Sequence, residues 1–279
     1  MARRIIQPKS KKPRRPRKPE ISPTKLRMFL ECPLMYKLVY VTKIGRYYYV
    51  PNAGNSFGGS LHRALQDFHS SGGHETQTPE QLAERLKNTW VSTGYNSRQE
   101  EREHLEIGVR LLQDYYENSK SGSVTLMTER QLREDMGDFV LIGRIDRLDE
   151  RPDGTIEIVD YKSGRESVTE AEVANDLAMS IYQLLAKKKY PDRQVMATIH
   201  CLRTGQIASA SLSDEELTEL EKMIRHVASE MLKITEDTEI PPSRKRICDG
   251  CDFYKICERR ARIAGIEWGS SENPDAAES

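Results

Sequence analysis

Two carboxylates and an ammonium group stand out by type and spacing. Asp146 lies in the apolar run Gly143-Arg144-Ile145-Asp146-Arg147-Leu148. Asp160 closes a second one, Ile158-Val159-Asp160-Tyr161-Lys162-Ser163-Gly164. A carboxylate in an apolar strand needs a partner, and two brought together repel unless a cation sits between them. A divalent ion of the Mg²⁺ or Mn²⁺ type, which favours oxygen ligands, resolves that conflict. Lys162 follows Asp160 by two residues, the spacing that puts side chains on one face of a strand. Metal and lysine together can activate water, stabilise charge at phosphorus and help an oxygen leave, the three needs of phosphodiester hydrolysis. His62, in an amphipathic segment, is a candidate third ligand. Gly58 and Gly59, one turn earlier, would let that segment lie close against a strand. Glu129 is a further carboxylate that could stand behind such a site. Taken without the metal, the same residues describe a hairpin with surface ion pairs.

The second constellation is made of cysteines. Cys248, Cys251 and Cys257 fall within ten residues, and Cys32 is the candidate for a fourth ligand. Four thiolates suit zinc or an iron–sulfur cluster, and the three-plus-one division leans towards iron–sulfur. Such a centre would staple the two ends of the chain together. Cys201, in a strand-like run, reads as a buried, inert thiol.

These residues need elements to hold them. Ser22-Pro23 opens a helix, and Leu34 to Tyr40 continues after Cys32-Pro33. Tyr47-Tyr48-Tyr49 is a loop or short strand and a candidate platform for stacking bases. Phe57, Leu61, Leu65 and Phe68 make the stripe of the helix that carries His62, and helices over 79–91 and 99–118 follow. Strands are expected at 124–132, 139–148 and 155–161, with a tight turn at Arg151 to Gly154. One helix is expected over 170–189, then strands at 195–202 and 207–210. Ser213 with Glu216 forms a capping box that opens a long helix. The order of helices, three strands, helix, strands and helix implies an α/β (α+β) core with a helical prelude.

The 279 residues, 37% hydrophobic, can bury a sizeable core. Lys+Arg and Asp+Glu both number 43, a balance that hides an uneven distribution. Residues 1–20 hold nine Lys or Arg against the single acid Glu20, and four prolines. That composition reads as a disordered basic arm suited to polyanions. Residues 263–279 read as an acidic flexible tail. No apolar run is long enough for a membrane span and no secretory signal is visible, so a reducing, cytoplasmic setting is expected. Arg144, Arg147, Arg165, Lys187 to Lys189 and Arg244 to Arg246 are candidates for phosphate contact or plain surface charge.

Over residues 21–262 the chain resembles the PD-(D/E)XK superfamily, in particular RecB-type nuclease domains and CRISPR-associated exonucleases. The resemblance is carried in order by Ser22…Cys32-Pro33…Tyr36, Gly58-Gly59-Ser60-Leu61-His62, Gly143-Arg144-Ile145-Asp146, Asp160-Tyr161-Lys162-Ser163-Gly164 and the three closing cysteines. It implies a restriction-endonuclease-like core with a central mixed sheet flanked by helices. It divides the domain into a helical prelude (21–120), a catalytic core (121–235) and a cysteine segment (241–262). It implies a helical iron–sulfur subdomain joining the N- and C-terminal parts, with a 4Fe-4S cluster on Cys32, Cys248, Cys251 and Cys257. It also implies Mg²⁺ or Mn²⁺ on His62, Asp146, Asp160 and the carbonyl of Tyr161, with catalytic roles for Asp146, Asp160, Lys162 and Tyr182. The activity implied is DNA exonuclease, acting on single strands or duplex ends. Recombination, repair, phage DNA processing or CRISPR adaptation would supply the partner proteins, with no membrane involved. One departure stands out: Ala178 occupies the place of the family's glutamine, four residues before Tyr182; Gln183 faces away around the helix and is a poor substitute, while Asp176 is a candidate contributor. A catalytically weak DNA-binding or scaffold subunit is therefore the alternative.

Overall fold

The computed structural model describes residues 17–120 and 122–268. The basic arm up to residue 16 and the tail from residue 269 lie outside the described residues. In chain order the elements are β1 (Glu20–Ile21), α1 (Pro23–Glu31), α2 (Pro33–Tyr36), α3 (Ala53–Ser70), α4 (Pro79–Asn88), α5 (Arg98–Asn118), β2 (Val124–Asp135), β3 (Val140–Glu150), β4 (Ile156–Lys162), α6 (Glu170–Ala174), α7 (Leu177–Lys189), β5 (Val195–Cys201), β6 (Gln206–Ala210), α8 (Asp214–Leu232) and α9 (Tyr254–Ile263).

Side-chain caps explain most of the helix starts. Ser22, Asn52, Ser97 and Asp176 each accept a hydrogen bond from the first turn that follows. Thr78, Thr169 and Ser213 form full capping boxes with Gln81, Glu172 and Glu216. The single helix expected over 170–189 is two. Asn175 ends α6, and the Asp176 carboxylate accepts from the backbone N–H of Ala178 and Met179, which starts α7 afresh. Beyond α2 the chain continues as one wider π-type turn over Lys37–Val41.

The strands form one mixed six-stranded sheet in the order β1-β3-β4-β5-β6, with β2 also on β3. β2 pairs antiparallel along the whole length of β3. The other edge of β3 is shared. β1 runs parallel to it at Val140 and Leu141, and β4 runs antiparallel from Arg147↔Val159 to Glu150↔Ile156. Between those two partners, residues 142–146 of β3 have no strand on that edge. β4 meanwhile keeps its parallel pairing to β5 as far as Lys162↔Cys201. The sheet therefore forks where β3 and β4 part.

Helices cover both faces. α1, α7 and α8 bury one face through Leu26, Ile181, Leu185, Ile224 and Val227 against Leu141, Ile145, Leu148 and Ile158. α3, α4 and α5 bury the other through Phe57, Leu61, Leu65, Leu86 and Leu112 against Val159 and Tyr161. α7 lies directly on the β3 backbone. A Cβ on Gly143 would meet Leu185 Cδ1 at 2.7 Å and the Tyr182 ring at 2.8 Å, so only glycine allows this approach. Cys201 is fully buried with Ala197, Ile199 and Val173.

The expected helical iron–sulfur subdomain is corrected. Among the described residues no distinct unit of that kind stands apart from the nuclease-like core. The cysteine-bearing segments pack as a small apolar cluster, in which Leu34 and Leu38 meet Phe253. No helix of the described residues is long and apolar enough to cross a membrane.

Candidate active site

The fork gathers the ionisable groups. Asp146 and Asp160 sit one residue beyond the last β3–β4 pair, Arg147↔Val159. With no strand partner there, the N–H of Tyr161 donates instead to Asp146 Oδ2 at 2.9 Å. This bond bridges the parted strands and fixes one oxygen of the Asp146 carboxylate. The other, Oδ1, is 3.2 Å from His62 Nδ1. His62 reaches the fork from α3, and its Nε2 donates to the carbonyl of Tyr161 at 2.9 Å. Glu129 comes from β2, with its carboxylate 3.9 Å from His62 Nδ1. Among the described residues His62, Glu129 and Asp146 form a three-residue group whose ligand atoms all lie within 4.8 Å of one another.

Asp160 and Lys162 complete the arrangement as an ion pair of 2.6 Å. Asp160 is only 8% exposed. Burial, then the charge of Asp146, pushes its carboxyl up to about 6, and Lys162 offsets part of that rise. Burial works against a charged His62. The hydrogen bond to Asp146 and the charges of Asp146, Asp160 and Glu129 outweigh it and raise the imidazole above 6.5. Negative charge thus converges on one point with Lys162 and His62 as partial counterweights. One imidazole nitrogen and two carboxylates, with a third carboxylate adjoining, are a fitting donor set for a hard divalent cation.

The groups open onto a cleft of about 690 Å³. His62, Glu129, Asp146, Tyr161 and Lys162 line it, and so do Asn55, Gln66 and Ser163. Gly58 gives α3 its close approach, because a Cβ there would lie 2.8 Å from Ser163 Oγ. Arg144 borders the cleft and binds Glu129 at 2.5 Å. Tyr182 packs on Gly143 and is absent from the cleft lining; burial, then Asp160 and Asp146, raise its phenol. Ala178 is partly buried against β5 and β6. Gln183 is buried and accepts from the N–H of Leu212. Asp176 is occupied as the α7 cap and by Arg27 at 3.4 Å.

Glu129, expected behind the site, instead joins His62 and Asp146 in the candidate ligand group. The β2–β3 register puts Glu129 between Thr128↔Arg147 and Arg130↔Ile145, opposite Asp146. The turn around Gly137 (φ 94°) fixes that register and was the available signal. Glu129 itself has φ 47°, a left-handed backbone that a non-glycine residue adopts at some strain. Arg147, a candidate phosphate contact, is buried and bonded inside the protein. The surface candidates Arg165, Lys187, Lys188 and Arg244 pair with Glu172, Asp214, Glu221 and Asp249.

The expected 4Fe-4S cluster is corrected by the same geometry: the converging ligand set is His/Glu/Asp, not cysteine. Cys32, Cys248, Cys251 and Cys257 do line one pocket, but it is apolar and holds only about 20 Å³, room for about one water. Two of the sulfurs already serve the backbone. Cys32 Sγ accepts from the N–H of Met35, and Cys248 Sγ from that of Lys245, both at 3.4 Å. Burial raises the thiols of Cys251 and Cys257, the latter to about 11.

Comparison with known proteins gives the chain a family. The family model described as the PD-(D/E)XK nuclease superfamily matches residues 20–258. No curated protein matches the chain. Among solved structures, the chain is similar to a candidate exonuclease from Eubacterium rectale, with 13% identity over 92% of this chain and 93% of that one and a TM-score of 0.49. It is also similar to SSO0001, with 10% identity over 78% and 92% and a TM-score of 0.30. A match that runs through the fork, its helices and most of the sheet leaves one conclusion, that this chain belongs to the PD-(D/E)XK nuclease superfamily.

Proposed function

We propose that the protein is a divalent-metal-dependent deoxyribonuclease that removes nucleotides from DNA ends, with single strands as the favoured substrate. The observation that carries this reading is the meeting of His62, Glu129 and Asp146 beside the Asp160–Lys162 pair in an open cleft. His62 Nδ1, Glu129 and Asp146 would hold Mg²⁺ or Mn²⁺, with Asp160 as the adjoining carboxylate. When bound there, the cation would supply Lewis-acid polarisation of the phosphate and a lowered pKa for water. The chain's own groups do the rest. The Tyr161 carbonyl takes the Nε2 proton of His62 and so leaves Nδ1 free for the cation. Lys162, fixed by Asp160, orients the attacking water and neutralises charge gathering on the phosphate oxygens. The water oxygen bonds to phosphorus, the P–O bond to the departing nucleotide breaks, and its oxygen takes up a proton. Arg144 at the cleft edge is suited to meeting a phosphate of the strand. Tyr182 braces β3 through Gly143 rather than contacting the reacting atoms.

End-labelled single- and double-stranded DNA, incubated with Mg²⁺ or Mn²⁺, is the direct test. Wild type is expected to shorten the strand from an end, and Lys162→Ala to lower the rate by about 100- to 1,000-fold with cation binding retained. DNA binding without cleavage under both metals would overturn the enzyme and leave the scaffold reading that Ala178 suggests.

A further inference from the structure

Behind the fork lies a second cluster of ionisable groups that the proposed reaction does not use. Arg147 is 8% exposed, and its Nη1 lies 2.7 Å from Tyr161 Oη, 2.7 Å from Tyr115 Oη and 2.7 Å from His69 Nε2. Its Nε pairs with Asp149 at 3.0 Å. The two phenols are 2.9 Å apart, and Tyr115 Oη lies 2.8 Å from His69 Nε2. Burial, and then the charge of Arg147, hold His69 far below the usual imidazole range. Its Nε2 is therefore an acceptor, and one guanidinium nitrogen joins all three rings, while Arg147 Nε is held by charge alone against Asp149. A buried arginine is costly, and an apolar group of the same shape often serves stability as well. Its retention asks for another reason.

The reason lies in where the partners sit. Tyr161 lies between Asp160 and Lys162, and its carbonyl accepts the Nε2 proton of His62. Arg147 directly follows Asp146 and belongs to the last β3–β4 pair before the fork. His69 is on α3, two turns beyond His62. One guanidinium thus grips β4 through a phenol, α3 through an imidazole and α5 through a second phenol. Those grips fix the distance between the helix that carries His62 and the strand whose carbonyl orients it.

We propose that Arg147 is a positioning residue, a clamp that sets the His62–Tyr161–Asp146 geometry through the hydroxyl of Tyr161. The proposal rests on the nuclease reading of the site. Tyr161→Phe removes one hydroxyl and keeps the backbone carbonyl, and Arg147→Lys keeps the charge but loses the fork of donors. Binding of Mn²⁺ to cation-free protein, followed by electron paramagnetic resonance, is the primary measurement. Both variants are expected to bind Mn²⁺ about 10- to 100-fold more weakly. The His62 Nε2–H proton, seen by NMR without cation, is expected to exchange faster with water. At saturating Mn²⁺, kcat should fall while KM for a single-stranded oligonucleotide holds. If Arg147→Lys does not fold, Tyr161→Phe carries the test alone. Wild-type Mn²⁺ affinity and wild-type proton exchange in Tyr161→Phe would overturn the clamp and leave the nuclease standing. Failure of the wild-type protein to bind Mn²⁺ would overturn both.

Discussion

The acidic fork and the cysteine pocket each unite residues far apart in the chain, and only one of them assembles a ligand set. At the fork, His62 and Asp146 are held by bonds to opposite ends of one residue, Tyr161. The strands separate there, so Glu129 and Asp146 face a cleft and the negative charge is only partly offset by Lys162, His62 and Arg144. At the pocket, two of the sulfurs are drawn into ordinary helix-end hydrogen bonding, and Leu34, Leu38 and Phe253 line the same small apolar space. Soft donors at suggestive spacing are therefore not enough. A ligand set needs a gap in the backbone pairing, and the β3–β4 fork supplies one.

The largest effect expected from this contrast is in cation binding. Asp146→Asn should weaken Mn²⁺ by more than the roughly 10- to 100-fold that outer partners command. Cys257→Ser should leave it unchanged. Equal losses in a titration calorimeter would erase the distinction between the two regions. A smaller effect concerns pH. In cation-free protein the folded chain holds a proton on Asp160 up to about 6, against 3.8 for an unperturbed carboxyl. At this site the folded protein then binds more protons across that window, so the contribution of Asp160 to stability falls as pH rises through it. The raised His62 extends the decline above 6.5. Buried His69 and His200, held neutral, push the other way in every variant, so the site is read by comparison in thermal melts. Without cation, wild type should lose stability relative to Asp160→Asn as pH rises from 4 to 6, and added Mg²⁺ should restore it most at the upper end. A wild-type minus Asp160→Asn difference that does not change with pH would contradict the crowding of charge at the fork. The smallest effect is chemical. Alkylation of Cys257 by iodoacetamide should accelerate towards pH 11, and rapid labelling at pH 7 would place an activated thiolate where none is expected.

Much of this was readable in the chain. The stripe of α3, the Ser213–Glu216 box and the Asp146…Asp160-Lys162 spacing depend on neighbours in sequence or across a hairpin, and they fall where expected. What was hidden depends on distant partners. Arg147 reads as a strand cation ready for phosphate, because nothing near it announces that Tyr115 and His69 arrive from two helices to bury it. The cysteines read as a cluster because their spacing carries no information about the small apolar pocket that Leu34, Leu38 and Phe253 shape around them. The break at Asn175-Asp176 was legible in principle, since an Asp before an apolar run is a helix cap, but the continuous stripe on either side masked it.

The left-handed backbone of Glu129 has an evolutionary consequence. Glycine at that position would relax the chain by about 1 kcal/mol and delete a carboxylate from the fork in the same step. Selection for heat tolerance alone would erode this corner of the cleft, so laboratory screens for thermostable variants should enrich Glu129→Gly among clones that have lost affinity for divalent ions.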